Sequence, residues 1–227
     1  MIYVDDFPEQ VSIHDHVIIR MSDGTELSAR IWMPACAHET PVPAILEYIP
    51  YRKRFGSATR DELTHGYLAG QGYVCVRVDI RGSGESGGVL TDEYLPQELS
   101  DGVEIINWIA GQAWCDGNVG MMGISWGGFN ALQIAALRPE PLKAIMATSA
   151  TDDRYADDVH HMGGCVLGDN LSWASVMFAY NSMPPDPELV GDKWRKMWFD
   201  RLEGSGFWLD TWLRRQRRDA YWRHGSI

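Results

Sequence analysis

Asn118-Val119-Gly120-Met121-Met122-Gly123-Ile124-Ser125-Trp126-Gly127-Gly128 decides how this chain is read. Its centre, Gly123-Ile124-Ser125-Trp126-Gly127, is a G-x-S-x-G pattern, in which an apolar strand runs into a serine and a helix leaves it. A turn this tight has no room for side chains on its flanks. Glycines let neighbouring backbone approach, and the serine hydroxyl is pushed out at the carboxyl end of the strand. The pentapeptide alone is a modest signal, because Gly/Ser-rich turns arise by chance. Its surroundings sharpen it. Residues 119–124 form a buried-strand run, and residues 129–137 carry helical spacing that stops before Pro139. Ser125 therefore reads as a nucleophile at a strand-turn-helix elbow rather than as a structural turn serine.

Working outward, residues 11–20 and 26–33 alternate like strands and are joined at the turn Ser22-Asp23-Gly24. Residues 44–49 and 73–78 are short apolar runs of the kind buried in parallel sheets. Between them, residues 61–71 predict a helix ending at Gly72. Residues 97–109 predict an amphipathic helix with Leu99, Val103, Ile106 and Ile109 on one face. A further apolar run follows the elbow at 142–147. Two antiparallel strands followed by alternating strand and helix indicate an α/β sheet, mostly parallel, with a mixed edge. After about residue 150 the character changes to tryptophan-bearing helical segments holding Trp194, Trp198, Trp208, Trp212 and Trp222. The expected organisation is one α/β unit over 1–150 and a helical unit over 151–227.

Composition narrows the function classes. The chain has 227 residues, 45% hydrophobic and 22% charged, as in soluble globular proteins. A net charge of −11 argues against nucleic acid or an anionic membrane surface as partner. No run approaches the ~18 apolar residues of a membrane span. The start, Met1-Ile2-Tyr3-Val4-Asp5-Asp6, has no apolar signal region. Cys36, Cys75, Cys115 and Cys165 are scattered and form no C-x-x-C pair, so neither zinc nor a disulfide framework is suggested. The expectation is a cytoplasmic protein without a zinc site or disulfides.

Acyl transfer also needs donors aimed at the oxyanion. In the α/β-hydrolase fold one donor is the backbone N–H after the serine, here Trp126, and the second comes from the loop after the third strand. At that place stands Ile49-Pro50-Tyr51-Arg52-Lys53-Arg54. The Tyr51 hydroxyl can donate, and Pro50 stiffens its approach. Gly82-Ser83-Gly84-Glu85-Ser86-Gly87 formally matches a dinucleotide fingerprint. That motif needs a helix to open at once, and here the helix waits until after Pro96. It reads as a glycine-rich loop beside the active site. Arg214, Arg215, Arg217 and Arg218, interleaved with aromatics, read as a solvated helix face. His160-His161 with Asp157 and Asp158 offer no third metal ligand and read as loop or pocket residues.

Together these stretches resemble the cocaine esterase / X-prolyl dipeptidyl peptidase family of CocE/NonD-type acyl hydrolases. The residues that carry the resemblance are Ile49-Pro50-Tyr51-Arg52-Lys53, Asp79 to Gly88, Trp114-Cys115-Asp116-Gly117-Asn118-Val119-Gly120, and Gly123 to Gly128, with Tyr221 to Ser226 similar to the end of that family's helical cap. The resemblance implies an α/β-hydrolase fold with the start of a helical cap. It implies Ser125 as nucleophile, Tyr51 and the Trp126 N–H as oxyanion donors, no cofactor, and a small ester, amide or short-peptide substrate. Chain order in this fold is serine, acid, histidine. The acid and histidine would follow the strand at 142–147, where only helical sequence stands. The expectation is the amino-terminal part of a longer hydrolase, with later strands missing, an open sheet edge and possible self-association. Arg52 and Lys53, just past the tyrosine, suggest a binding patch for a carboxylate on the acyl group. Two other classes compete: a non-catalytic binding module that keeps the elbow, and a dinucleotide-dependent oxidoreductase built on Gly82–Gly87.

Overall fold

The computed structural model describes residues 6–227; Met1 to Asp5, most of the acidic start, lie outside the described residues. Strands β1 (Val11–Arg20) and β2 (Glu26–Pro34) pair antiparallel across a turn in which Gly24 takes φ 84°. There follow β3 (Val42–Ile49), α1 (Ala58–Gly70), β4 (Val74–Asp79), α2 (Pro96–Ala110), β5 (Cys115–Ile124), α3 (Trp126–Ala136) and β6 (Leu142–Thr148). The six strands form one sheet in the order β1-β2-β4-β3-β5-β6. β2 meets β4 antiparallel, and the pairs β3–β4, β3–β5 and β5–β6 are parallel. This is the mixed, mostly parallel sheet of the α/β-hydrolase fold.

Alternation along the central strands sends side chains to opposite faces. Ile31, Leu46 and Val76 join the main core with Ile105, Ile106 and Ile109 of α2 and Ile134 of α3. Each of these fully buried side chains contributes about 2 kcal/mol. On the other face Trp32 and Cys75 pack on Ala69 of α1, with Ile45 and Leu68 alongside.

Several element boundaries differ from the sequence expectation, two of them for a visible reason. α1 starts three residues before position 61, because a π-turn over Arg52–Gly56 leads straight into it. β5 starts four residues before position 119: polar Cys115-Asp116-Gly117-Asn118 looks like a turn, yet Cys115 pairs with Val42 of β3. Residues 151–227 carry helices and a small hairpin that the sequence reading did not include, β7 (His161–Met162) with β8 (Cys165–Val166). The helices there are α4 (Asp169–Ser182), α5 (Pro187–Val190), α6 (Trp194–Gly204), α7 (Trp208–Arg214) and α8 (Ala220–Arg223).

The helical segment shares the core of the sheet: Trp208, Trp212 and Trp222 belong to the same buried cluster as α2 and α3. Polar bonds reinforce this packing at three consecutive residues before α2. Asp92 accepts from Trp212 Nε1 at 3.0 Å and the Tyr221 hydroxyl at 2.8 Å. Glu93 accepts from Arg154 at 2.8 Å and Trp173 Nε1 at 2.5 Å, and the Tyr94 carbonyl bonds His224. The arginine cluster is a surface: Arg214, Arg215 and Arg218 pair with Asp210, Asp219 and Asp153.

β6 pairs with β5 alone among the described residues, so its other edge is open. Beside it an apolar groove of about 440 Å³ runs over Ile45, Leu68, Met122 and Met146, and Met146 is 59% exposed. The four cysteines are free thiols. No helix among the described residues is long and apolar enough to cross a membrane.

Candidate active site

β5 delivers Ser125 to its carboxyl end, where the backbone takes φ 56° and ψ −121° before α3 begins. A non-glycine residue there carries about 1–3 kcal/mol of strain, held by the surrounding structure. Three backbone bonds hold it: Ser125 N–H donates to the Thr148 carbonyl at 2.9 Å, and its own carbonyl accepts from Gly128 and Phe129. The flanking glycines are sterically required. A Cβ on Gly123 would collide with the backbone of Gly127, and one on Gly127 would lie 2.8 Å from Ile49 Cγ2. The serine side chain consequently stands at the rim of the sheet instead of inside it.

Tyr51 arrives from the end of β3, on the strand next to β5. Its hydroxyl donates to Ser125 Oγ at 3.4 Å, and the Trp126 N–H donates to the tyrosine oxygen at 3.4 Å. Burial pushes the Tyr51 phenol up to about 12, against the opposing bond to Ser125, so it stays a protonated donor at neutral pH. The ring is wedged between Trp173 and Tyr180 of α4, with centroids 6.3 and 5.9 Å away. Beneath the elbow, Trp126 Nε1 donates to Glu98 at 2.5 Å, and burial raises that carboxyl to about 7.

The pocket at Ser125 holds about 330 Å³. Phe129, Val159, Leu167 and Trp173 supply apolar walls; Glu93, Asp157 and Asp158 supply charge, and no lysine or arginine is among the lining residues. Burial works against the Glu93 carboxylate, but His160 and Arg154 outweigh it and hold the group down to about 2. Burial, helped by the charge of Glu93, raises Asp158 to about 6, and its Oδ2 is buried without a partner.

The structure corrects the expectation that Arg52 and Lys53 form a carboxylate-binding patch. Lys53 is fully buried, and its ammonium is used up on Ser28 Oγ (2.8 Å), Asp79 (3.3 Å) and Glu85 (2.5 Å). Arg52, buried too, donates to the carbonyls of Met183 (2.9 Å) and Pro184 (2.5 Å). The glycine-rich loop is equally occupied. Arg201 of α6 donates to Gly84 and Ser86 carbonyls at 2.9 and 2.6 Å, and the next helix along the chain opens only at Pro96.

No histidine bonds Ser125 among the described residues. His160 is committed through Nε2 to Glu93 (2.7 Å) and through Nδ1 to Asn170 (2.8 Å). His161 is buried between Tyr155 and Trp222, and His224 bonds a backbone carbonyl. Away from the pocket, Glu47, Asp61 and His65 approach one another closely enough to suggest metal ligands. Their carboxylates are already bonded: Arg60 reaches Glu47 at 2.5 Å and Asp61 at 2.6 Å, Ser57 reaches Asp61 at 2.6 Å, and Arg77 lies 3.2 Å from Asp61. Two guanidiniums in the cluster make it an ion-pair network, not a cation site.

Sequence reasoning missed Glu93, Trp173 and Tyr180. Glu93 sits in a loop with no periodicity to flag it. Trp173 and Tyr180 did leave a trace, two aromatics seven apart on α4 and hence on one helix face.

Comparison with known proteins agrees with the geometry. Residues 23–227 match the family described as X-Pro dipeptidyl-peptidase (S15 family). The chain is 32% identical over 170 residues to a cocaine esterase of Rhodococcus sp., covering 73% of this chain and 29% of that protein. A CocE/NonD family hydrolase from Staphylococcus aureus superposes with TM-score 0.75 at 22% identity, covering 96% of this chain and 38% of the other. An alpha-amino acid ester hydrolase superposes with TM-score 0.67 at 22% identity, over 100% of this chain and 41% of the other. The chain thus spans well under half the length of these relatives. With its elbow, its tyrosine beside the serine and its mostly parallel sheet, the chain belongs to the X-Pro dipeptidyl-peptidase (S15) family of hydrolases, on the CocE/NonD-type α/β-hydrolase fold.

Proposed function

We propose that this chain carries the nucleophile and oxyanion hole of a serine hydrolase that cleaves acyl esters or amides. The observation that carries this reading is the strained Ser125 at the end of β5 with two donors, the Tyr51 hydroxyl and the Trp126 N–H, converging beside its Oγ. Ser125 Oγ attacks the substrate carbonyl, its proton passes to a general base, and the carbonyl electrons move onto oxygen. Tyr51 and Trp126 then turn from bonding each other to bonding that oxyanion. Collapse expels the alcohol or amine and leaves an acyl-serine, which water releases as the acid.

The general base comes from outside the described residues. His160, His161 and His224 are engaged elsewhere, and the relatives run far beyond the length of this chain. The chain is read as the amino-terminal portion of such a hydrolase, and alone it is expected to hydrolyse p-nitrophenyl acetate little better than its Ser125→Ala variant. A serine without its base loses several powers of ten in rate.

The pocket sets substrate preference in the opposite sense to the sequence expectation. With Asp157 and Asp158 on its walls, no lysine or arginine among its lining residues and Glu93 already paired with Arg154 and His160, it favours neutral or ammonium-bearing acyl groups over carboxylate-bearing ones. A second reading, a non-catalytic binding module, draws on the lack of a base bonded to Ser125 among the described residues. A fluorophosphonate probe separates the two in the longer polypeptide. Labelling lost in Ser125→Ala supports the hydrolase; no labelling supports the binding module.

A further inference from the structure

The two basic residues after Tyr51 do something other than bind substrate. Arg52 adopts φ 60°, a left-handed conformation unusual for a residue with a side chain. That conformation accompanies a turn whose guanidinium donates to the Met183 and Pro184 carbonyls, just beyond the last turn of α4. α4 is also the helix whose Trp173 and Tyr180 flank the Tyr51 ring. The same turn is packed hard against α4: a Cβ on Gly56 would collide with the Tyr180 hydroxyl and the Tyr51 carbonyl.

Lys53 provides a parallel tie. Its ammonium bonds Glu85, and the carbonyls on either side of Glu85, those of Gly84 and Ser86, are held by Arg201 of α6. The glycine-rich loop is therefore a strut between α6 and the turn that begins at Tyr51. Asp79 steadies the same turn by accepting the Lys53 backbone N–H at 2.9 Å. Two chains of contact, through α4 and through α6, converge on the residues that fix where the tyrosine hydroxyl lies.

We infer that Arg52 is a positioning residue that acts through Tyr51, coupling the oxyanion hole to the seating of α4 on the sheet. This rests on the proposed role of Tyr51. Without the guanidinium the turn loses its hold on the end of α4, and the hydroxyl is no longer kept within reach of both Ser125 Oγ and the Trp126 N–H. Arg52 is not itself part of the pocket lining and reaches it only through Trp173 of α4, so the loss falls mainly on kcat.

The test is a double-mutant cycle in the polypeptide that supplies the base, using a p-nitrophenyl ester, with Tm recorded for each variant. Arg52→Ala is expected to lower kcat about tenfold with a smaller change in KM, as for a small misplacement of a reacting group. In a Tyr51→Phe background the same change is expected to cost less than about twofold, since there is no hydroxyl left to misplace. Arg52→Lys, which keeps the charge and at most part of the fork, falls between, and it reads the same cycle if the alanine variant does not fold. An equal loss in both backgrounds, or a loss confined to KM, overturns the inference while leaving the hydrolase reading intact. A Tyr51→Phe variant as active as the parent removes the oxyanion role and the inference with it.

Discussion

Tyr51→Phe isolates one hydroxyl. The phenylalanine keeps the ring against Trp173 and Tyr180 and removes only the oxygen that lies 3.4 Å from both Ser125 Oγ and the Trp126 nitrogen. In the resting protein the loss is modest: two long hydrogen bonds vanish from a largely buried group, worth about 1 kcal/mol together at their length. In the transition state the loss is larger, because one of two donors to the oxyanion is gone. Removal of one such donor costs about 10²–10³ in kcat, or about 2.7–4 kcal/mol. The phenol titrates near 12, so it is a competent donor throughout the neutral range, and the deficit stays constant between pH 6 and pH 9, taken as roughly the working range of such a triad. The assay is steady-state hydrolysis of a p-nitrophenyl ester by the longer polypeptide, with thermal melting as a control. A kcat within about threefold of the parent refutes the donor role, since the expected effect is more than tenfold larger. A large kcat loss with a collapsed melting transition refutes the claim that the ring alone maintains the packing.

Three further outcomes follow from the geometry. Lys53→Met leaves Glu85 buried without its cation and strips Asp79 of one of two, Arg77 remaining at 3.2 Å, and should destabilise the chain by about 3–5 kcal/mol in urea unfolding; a loss below about 1 kcal/mol contradicts the buried network. Asp158, raised to about 6, gains its charge only above that pH, so preference for a trimethylammonium-bearing acyl ester over its neutral isostere should strengthen as pH rises through about 6 and weaken below it. Asp158→Asn should flatten that profile, and a pH-independent preference contradicts the part given to Asp158. Because folding raises this group, its stability contribution runs the other way, present below the usual carboxylate range and lost as pH rises through about 6. The open edge of β6 and its apolar groove should make the isolated chain self-associate, and Met146→Lys should reduce this; a clean monomer of the unsubstituted chain by light scattering contradicts it.

What could be read from the sequence was what local sterics dictate. The elbow was legible because its turn excludes side chains at Gly123 and Gly127, and Tyr51 because it follows a proline at a strand end. The glycine-rich loop was separable from a dinucleotide site because Pro96 delays the next helix. What escaped depends on contacts between distant positions. Lys53 finds Glu85 and Asp79 across 32 and 26 residues, and Arg52 finds Pro184 across 132. Nothing local tells a buried, saturated lysine from one facing solvent, so both residues looked like an anion patch. Glu93 and Asp158 reach the pocket from loops without periodicity, and the acidic lining appeared only once the fold had folded 151–227 back over the elbow. The first residues of β5 were obscured for a related reason: a polar, glycine-bearing run becomes strand because β3 supplies the partner.

The central claim is that Ser125 is the nucleophile of an acyl hydrolase whose base lies outside the described residues. It is tested most directly by p-nitrophenyl acetate turnover in three samples: the longer polypeptide, its Ser125→Ala variant, and this chain alone. Turnover is expected in the first, a loss of at least about a thousandfold in the second, and near-background rates in the third. Undiminished turnover by the Ser125→Ala variant would contradict the nucleophile, and robust Ser125-dependent turnover by the chain alone would contradict the placement of the base.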